Sequence, residues 1–533
     1  MSNSDIQFVI RGDRENAIYR QPEIPEYFDN PMIEALPPIW SKDEATEEIS
    51  YYPPYHETMR NSPDHIRHHL IQNSLRFFSP LDIHIDLERR FSCLIRVGYR
   101  ERNPFTTQFW KDVDKRVALL EKITRSQYRR KHKYHSTSAA GFYVVGISGI
   151  GKSQTIEQIL RTYPQVIYHS KYKKKNFTYT QLVWLKLDCP FDGSIRGLCY
   201  NFFQTIDNLL GTNYFSEYAE NARNVDEMIP NMARVAANHC IGVLVIDEIQ
   251  RLSKAKSGGA EAMLDFFVQL VNTIGVPVVS VGTFKALPIL SGAISQMRRG
   301  TGQGDLVWDR MQFDEQWQLL MEDLWDYQYI EHRCDLATNS KLSKVLYEET
   351  QGITDLAIKL FMFAQERAIT SGVEELTASI IRSAAKDKFN LLQPALKAFK
   401  DRDKEALVKF EDAYPKFLKV VLLDENPSPD VAGEIVEEPE FKILLDSNPP
   451  NESELKIKEE PIDTETQQAI NDFFKLDNSK SNNRVLSKKK GKSAGLLPSI
   501  FDSIENADKT SIYFSLNKAG FIYSGSEFLE EEI

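Results

Sequence analysis

Lys152, Ser153, Asp247, Glu248 and Thr283 are the residues of this chain whose types and spacing suit phosphate chemistry. Lys152 and Ser153 close the run Gly146-Ile147-Ser148-Gly149-Ile150-Gly151-Lys152-Ser153, which has the G-x-x-x-x-G-K-S layout of a phosphate-binding loop. Its glycines let the backbone wrap a polyphosphate without Cβ clashes, so that N–H groups and the positive end of the next helix face the β-phosphate. Lys152 reaches the β- and γ-phosphates, and the Ser153 hydroxyl is a ligand for Mg²⁺. The expected nucleotide contacts are Gly146, Ser148, Gly149, Ile150, Gly151, Lys152, Ser153 and Gln154.

A second motif, Val243-Leu244-Val245-Ile246-Asp247-Glu248, puts two carboxylates at the end of an apolar strand. Asp247 is suited to holding Mg²⁺ through water, and Glu248 to orienting and deprotonating an attacking water. An acidic pair by itself is more often a helix N-terminal charge or a solvated turn; beside a phosphate loop it implies hydrolysis of ATP. Gly282-Thr283 ends a third strand and places a hydroxyl where ligands collect in open parallel sheets. Thr283 is either a sensor of the γ-phosphate or a turn residue capping the next helix. Arg298 and Arg299 either complement a helix C-terminus or supply an arginine finger to a neighbouring subunit.

These groups need a scaffold, and the surrounding sequence predicts one. Residues 141–145 have the apolar, β-branched and aromatic character of a buried parallel strand. Residues 154–163 continue as a helix with Ile156, Ile159 and Leu160 on one face. The next strand is expected at 181–188, and after the strand of the acidic motif another at 276–281, with helices at 194–210, 225–239, 260–274 and 284–299. Strand and helix alternation predicts an α/β ATPase core with a parallel sheet over 136–312.

On either side the composition changes. Residues 1–70 hold Pro22, Pro25, Pro31, Pro37, Pro38, Pro53 and Pro54 among many tyrosines; these prolines break regular structure and predict an extended arm or adaptor segment. A helical segment follows over 71–135, and a helical lid and extension over 313–423. Residues 424–499 run from acidic and Pro-rich to the basic Lys488-Lys489-Lys490-Gly491-Lys492, a flexible linker, and 500–533 regain apolar residues as a docking peptide. Apolar residues make up 42% and charged residues 26% of the 533, enough for two or three folded domains. The chain has no run of about 18 apolar residues and no basic-then-apolar leader, so a soluble, cytoplasmic protein with no membrane partner is expected. The five cysteines form no C-x-x-C pair and read as reduced core residues. His65, His68 and His69 read as a polar helix face.

A net charge of −11 argues against coating of nucleic acid by bulk charge, yet basic residues cluster. Lys173, Lys174 and Lys175 are expected in a connection between the loop helix and the next strand. Arg251, Lys254 and Lys256 form a basic loop directly after the acidic pair; most such clusters are solvated faces, but a loop coupled to the catalytic carboxylate is well placed to grip a phosphate backbone and feel the nucleotide state.

The phosphate loop, the run Val245 to Gln250, the Ser257-Gly258-Gly259 loop, and Gly275-Val276-Pro277 through Gly282-Thr283 resemble TnsC, the AAA+ regulator family of TnsA/TnsB-type bacterial transposons, related to TniB and MuB. Asn30 to Pro37, Gly98-Tyr99 with Arg102-Asn103-Pro104, and Tyr163 to His169 extend the likeness. It runs from about residue 30 to 390. The resemblance implies an ATP- and Mg²⁺-dependent adaptor that assembles on double-stranded DNA as a homo-oligomeric ring or filament. It also implies a target selector (TnsD, TnsE or a TniQ-type factor) and recruitment of the transposase subunits TnsA and TnsB. Lys152, Ser153, Asp247, Glu248 and Thr283 keep the roles above, and Arg298 or Arg299 matches the trans-acting arginine by position. The chain departs from many AAA+ lids in following Gly352-Ile353-Thr354 with Asp355 where a second sensor arginine would stand, and Lys359 is only a weak substitute for it. Two other functions fit parts of the sequence: a replication-initiator or clamp-loader-like switch, and a nucleotide-binding scaffold that does not hydrolyse ATP.

Overall fold

The computed structural model describes residues 12–125, 141–254, 275–287, 303–336 and 340–403, with Met263, Phe266, Ala406 and Leu407. All fall within the first of the chain's two units, Met1–Pro429. The linker at 424–499, the docking segment at 500–533, Lys256, Arg298, Arg299 and nearly all of the helix expected at 260–274 lie outside the described residues.

The sheet that carries the phosphate loop has five strands in the order β5-β6-β7-β2-β8. These are β2 (Gly141–Gly146), β5 (Trp184–Asp188), β6 (Val243–Asp247), β7 (Val278–Gly282) and β8 (Leu306–Trp308), and every pairing is parallel. Parallel strands are buried on both faces, and the residues alternate accordingly. Phe142, Val144, Val243, Val245, Val279 and Val281 enter one core, while Val145, Leu244, Ile246 and Val278 enter the other.

A second sheet has the order β1-β3-β4: β1 (Arg14–Asn16), β3 (Val166–Tyr172) and β4 (Lys175–Leu182). The stretch expected as a simple connection carrying the lysines is therefore a β-hairpin. Tyr172 pairs with Lys175, and the two-residue turn between them, Lys173-Lys174, has φ of 46° and 66°. Positive φ at both positions matches the twist of the flanking strands. The strand expected at 181–188 is likewise two strands, since Leu182 closes β4 and Trp184 opens β5.

In the N-terminal region α1 (Pro31–Glu34), α2 (Lys42–Ile49) and α3 (Asp64–Leu70) are short. They precede α4 (Asp82–Arg100) and α5 (Thr107–Arg125). Residues 12–70 thus differ from an arm without regular structure. Pro31 stands at the first position of α1, where its missing N–H costs nothing, and Ser41 with Glu44 makes a capping box for α2. Met32, Ile33 and Leu36 are buried in the same core as Leu87, Phe91 and Ile95 of α4. Residues 51–79 reach the C-terminal helices instead: Tyr55 Oη donates to the Gln328 carbonyl at 2.7 Å, and Arg60 Nε to that of Ile330 at 2.9 Å.

The loop helix α6 (Lys152–Arg161) follows β2; α7 (Ile195–Leu210), α8 (Tyr214–Tyr218) and α9 (Val225–Asn238) lie between β5 and β6. After β8 come α10 (Glu315–Trp325), α11 (Ser340–Thr350), α12 (Thr354–Thr370), α13 (Ala378–Lys388) and α14 (Gln393–Lys400). The helix expected at 284–299 opens as a 3-10 turn, Phe284–Ala286, and lies outside the described residues from 288 on. No described helix is long and apolar enough to cross a membrane.

Candidate nucleotide site

The site is built where β2, β6 and β7 end. Gly146 closes β2 against β8, and a Cβ on it would collide with the Trp308 carbonyl oxygen, which accepts the Ile147 N–H at 3.3 Å. Gly151 has φ of 97°, turning the backbone into α6 with its first N–H groups toward the loop. Ile150 is 1% exposed and packs in the core, so its backbone alone can face a phosphate; Ser148 and Gln154 are exposed and Ser153 is half-buried.

Lys152 is buried, its Nζ donating to the carbonyls of Gly146 at 2.9 Å and Ile147 at 2.7 Å. The ammonium is thereby folded over the loop that a polyphosphate would enter. An ammonium, a helix N-terminus and a glycine-turned backbone form an anion cradle. The Ser153 hydroxyl and the Asp247 carboxylate add the hard oxygen donors that suit Mg²⁺.

Asp247 ends β6 with both oxygens engaged. Oδ1 accepts the Glu248 N–H at 2.8 Å, and Oδ2 lies 3.0 Å from Lys186 Nζ. Glu248 has φ of 61°, an unusual conformation for a non-glycine residue that turns the chain sharply off the strand. Burial, and next the charge of Asp247, raise the Glu248 carboxyl above its ordinary pKa, while Arg251 and Lys152 oppose the shift. Glu248 is thus a stronger base than a solvated glutamate.

Thr283 follows β7, the strand between the acid strand and the loop strand. Gln250 ties it to the carboxylates: Gln250 Nε2 donates to Glu248 Oε2 at 2.7 Å, and the Thr283 N–H donates to Gln250 Oε1 at 3.0 Å. Lys152, Ser153, Asp247, Glu248 and Thr283 are therefore all set at the C-terminal edge of neighbouring strands.

The predicted basic contacts separate into two places. Arg251 is turned into the site wall, with Nη1 donating to the Cys189 carbonyl at 2.8 Å and Nε 3.8 Å from Glu248. Lys254 ends the 3-10 helix Ile249–Lys254. Lys173, Lys174 and Lys175 are exposed on the second sheet, with Lys173 paired to Asp29 and Lys175 lying 5.6 Å from the Phe105 ring centroid.

Three residues at the site were not foreseen as parts of it. Gln250 is invisible as a bridge because its role depends on Glu248 turning back. Lys186 carried a signal: a lysine inside Trp184-Leu185-Lys186-Leu187 needs a buried partner. Asp355, noted as a departure in the lid, touches the loop directly, its N–H donating to the Gly149 carbonyl at 3.1 Å while its carboxylate pairs with Lys359 at 2.7 Å. The four cysteines Cys189, Cys199, Cys240 and Cys334 are buried, and all five are unbridged.

Residues 135–290 match the family model described as AAA domain. No curated protein matches the chain. Similar solved structures include the Aeropyrum pernix ORC2 protein in ADPNP-ADP complexes, at 14% identity over 51% of this chain and 66% of that one, with a TM-score of 0.33. This match spans just under two thirds of the Aeropyrum protein. Cdc6p from Pyrobaculum aerophilum is 13% identical over 54% of this chain and 68% of that one, with a TM-score of 0.32. The Drosophila ORC bound to DNA is 13% identical over 56% and 66%, with a TM-score of 0.30. The phosphate loop on its parallel sheet, with helices after it, makes residues 135–290 an AAA domain with the AAA+ P-loop fold.

Proposed function

We propose that this chain is an ATP-hydrolysing, DNA-binding regulator of transposition of the TnsC type. One observation supports the hydrolytic half most strongly: Gln250 links Glu248 to Thr283 beside the Asp247 carboxylate, at the same sheet edge as Lys152. In this reading the loop N–H groups and Lys152 bind the β- and γ-phosphates of ATP, and Ser153 with Asp247 holds Mg²⁺. When bound, Mg²⁺ neutralises charge on the β- and γ-phosphate oxygens. Glu248 orients a water and accepts its proton as the oxygen attacks the γ-phosphorus. The bond to the β-phosphate oxygen breaks, giving ADP and phosphate. Thr283 reports the γ-phosphate to Glu248 through Gln250, and Arg298 or Arg299 of an adjacent copy stabilises the charge that develops.

The DNA and transposition half is supported by the sequence resemblance from about residue 30 to 390, and by the basic clusters. Arg251, Lys254, Lys256 and the hairpin lysines Lys173, Lys174 and Lys175 are proposed to contact phosphates of double-stranded DNA without reading sequence. The cytoplasmic oligomer so assembled would receive a TnsD, TnsE or TniQ-type selector and recruit TnsA and TnsB through residues 500–533. Electron microscopy of the protein with duplex DNA and a non-hydrolysable ATP analogue tests this: rings or filaments on DNA that vanish with ADP are expected. Assemblies indifferent to nucleotide would refute it. Truncation after about residue 495 should leave these assemblies intact and abolish retention of TnsA and TnsB, and normal retention would place the docking site elsewhere.

A further inference from the structure

Lys186 touches the acid motif, the loop helix and a carboxylate of its own strand together. It stands on β5 opposite Val245 of β6, on the sheet face that α6 covers, and its side chain is 10% exposed. Its Nζ lies 3.0 Å from Asp247 Oδ2, 3.2 Å from Glu157 Oε1 on α6 and 3.9 Å from Asp188 Oδ1. Asp247 is 5% exposed, Glu157 27% and Asp188 41%, so the ammonium and the Asp247 carboxylate form the inner pair of the cluster. Glu157 is one turn beyond Ser153 on α6, so the Lys186 bridge connects the helix bearing one expected Mg²⁺ ligand to the strand bearing the other.

We propose that Lys186 is a positioning residue that sets the Mg²⁺ requirement of nucleotide binding, by acting as a fixed cation that shares the Asp247 carboxylate with the metal. The inference rests on the ATPase reading above. Asp247 has one oxygen committed to the Glu248 N–H and the other to Lys186. An ammonium at that oxygen fixes the carboxylate's direction and also reduces the negative potential that attracts a divalent ion. Glu157 pulls the same ammonium toward α6, so it tunes how much of the lysine's charge falls on Asp247. Removing the lysine and removing Glu157 should therefore shift the Mg²⁺ requirement in opposite directions.

The test is the Mg²⁺ concentration that gives half-maximal binding of a fluorescent ADP analogue, with phosphate release measured alongside. Lys186→Gln should lower that concentration about tenfold and lower kcat, with KM for ATP at saturating Mg²⁺ unchanged. Glu157→Gln should raise it about threefold, an effect that disappears in the Lys186→Gln background because it is exerted through the lysine. Lys186→Arg, which keeps the charge, should restore most of the wild-type dependence. An unchanged Mg²⁺ dependence in folded Lys186→Gln, or shifts of the same sign in both variants, would overturn the proposal. Should Lys186→Gln not fold, the absence of a shift in Glu157→Gln would overturn it alone. If the wild type binds no analogue with or without Mg²⁺, the ATPase reading itself fails and the role of Lys186 with it.

Discussion

Replacing Arg67 by methionine should unlatch the N-terminal segment from the C-terminal helices at a large and pH-dependent cost. The Arg67 side chain is 2% exposed. Its Nη1 and Nη2 donate to the two oxygens of Glu374 at 2.7 and 2.8 Å, Nη2 also to Asp64 at 2.7 Å, and Nη1 to the Tyr329 carbonyl at 3.2 Å. At an effective dielectric constant of about 20, unit charges at that separation attract by ~6 kcal/mol, and desolvation of both groups offsets most of this. The cost of the substitution comes from what it leaves behind: Glu374, 12% exposed, keeps the Glu331 N–H at 3.1 Å but no cation. Breaking a buried pair on one side costs about 3–5 kcal/mol, whereas exposed Asp64 adds under ~1. We expect a loss near 3 kcal/mol at pH 7, the low end of that span because Glu374 keeps one donor. Hydrogen bonds from Arg67 hold the Glu374 carboxyl below its usual pKa. A depressed folded-state pKa contributes stability above the unfolded value, about 4.3, and loses it as pH falls through the folded one. The gap between wild type and Arg67→Met in urea denaturation should therefore be widest near neutrality and close in acid. A gap under about 1 kcal/mol at pH 7, or one that is flat with pH, would refute this account of the latch.

Lys152→Ala should abolish nucleotide binding, whereas Glu248→Gln should keep it, slow phosphate release by at least about 100-fold and leave long-lived DNA complexes; equal DNA binding by the two variants in ATP would count against a nucleotide switch. Because the base must be ionised and its pKa is raised, the acid limb of kcat should lie above the usual glutamate range and be missing in Glu248→Gln. Gly146→Ala should cost about 1–3 kcal/mol, read as a lowered thermal midpoint, since the new methyl meets a backbone carbonyl that cannot swing away. Neutralising Lys173, Lys174 and Lys175 should weaken duplex binding equally across sequences and make its salt dependence shallower, and an unchanged slope would remove the hairpin from the DNA surface.

Much of the core was readable because its signals are local. A G-x-x-x-x-G-K-S run between an apolar strand and an amphipathic helix fixes its own geometry, and β2 and α6 appear where the pattern puts them. Val243–Asp247 is a strand because it is buried on both faces, which a continuous apolar run announces. The second sheet was missed because Val166–Tyr172 and Lys175–Leu182 interleave polar and aromatic residues, and the Lys-Lys turn lacks the Asn or Gly that usually marks positive φ. The proline-rich N-terminal stretch misled for a related reason. Prolines break helices only when internal, and here Pro25 and Pro31 begin short turns that carry Tyr27, Met32 and Ile33 into the core. The bridges at the site, Lys186 to Asp247 and Gln250 to Thr283, join residues far apart in sequence whose proximity only the sheet order creates.

The central claim is tested most directly by steady-state phosphate release from ATP, with and without duplex DNA, by the wild-type chain and by Lys152→Ala. The account predicts Mg²⁺-dependent release by the wild type that DNA changes, and none above background from Lys152→Ala. Absence of release from folded wild-type protein in saturating ATP, Mg²⁺ and DNA, or equal release from both proteins, would contradict it.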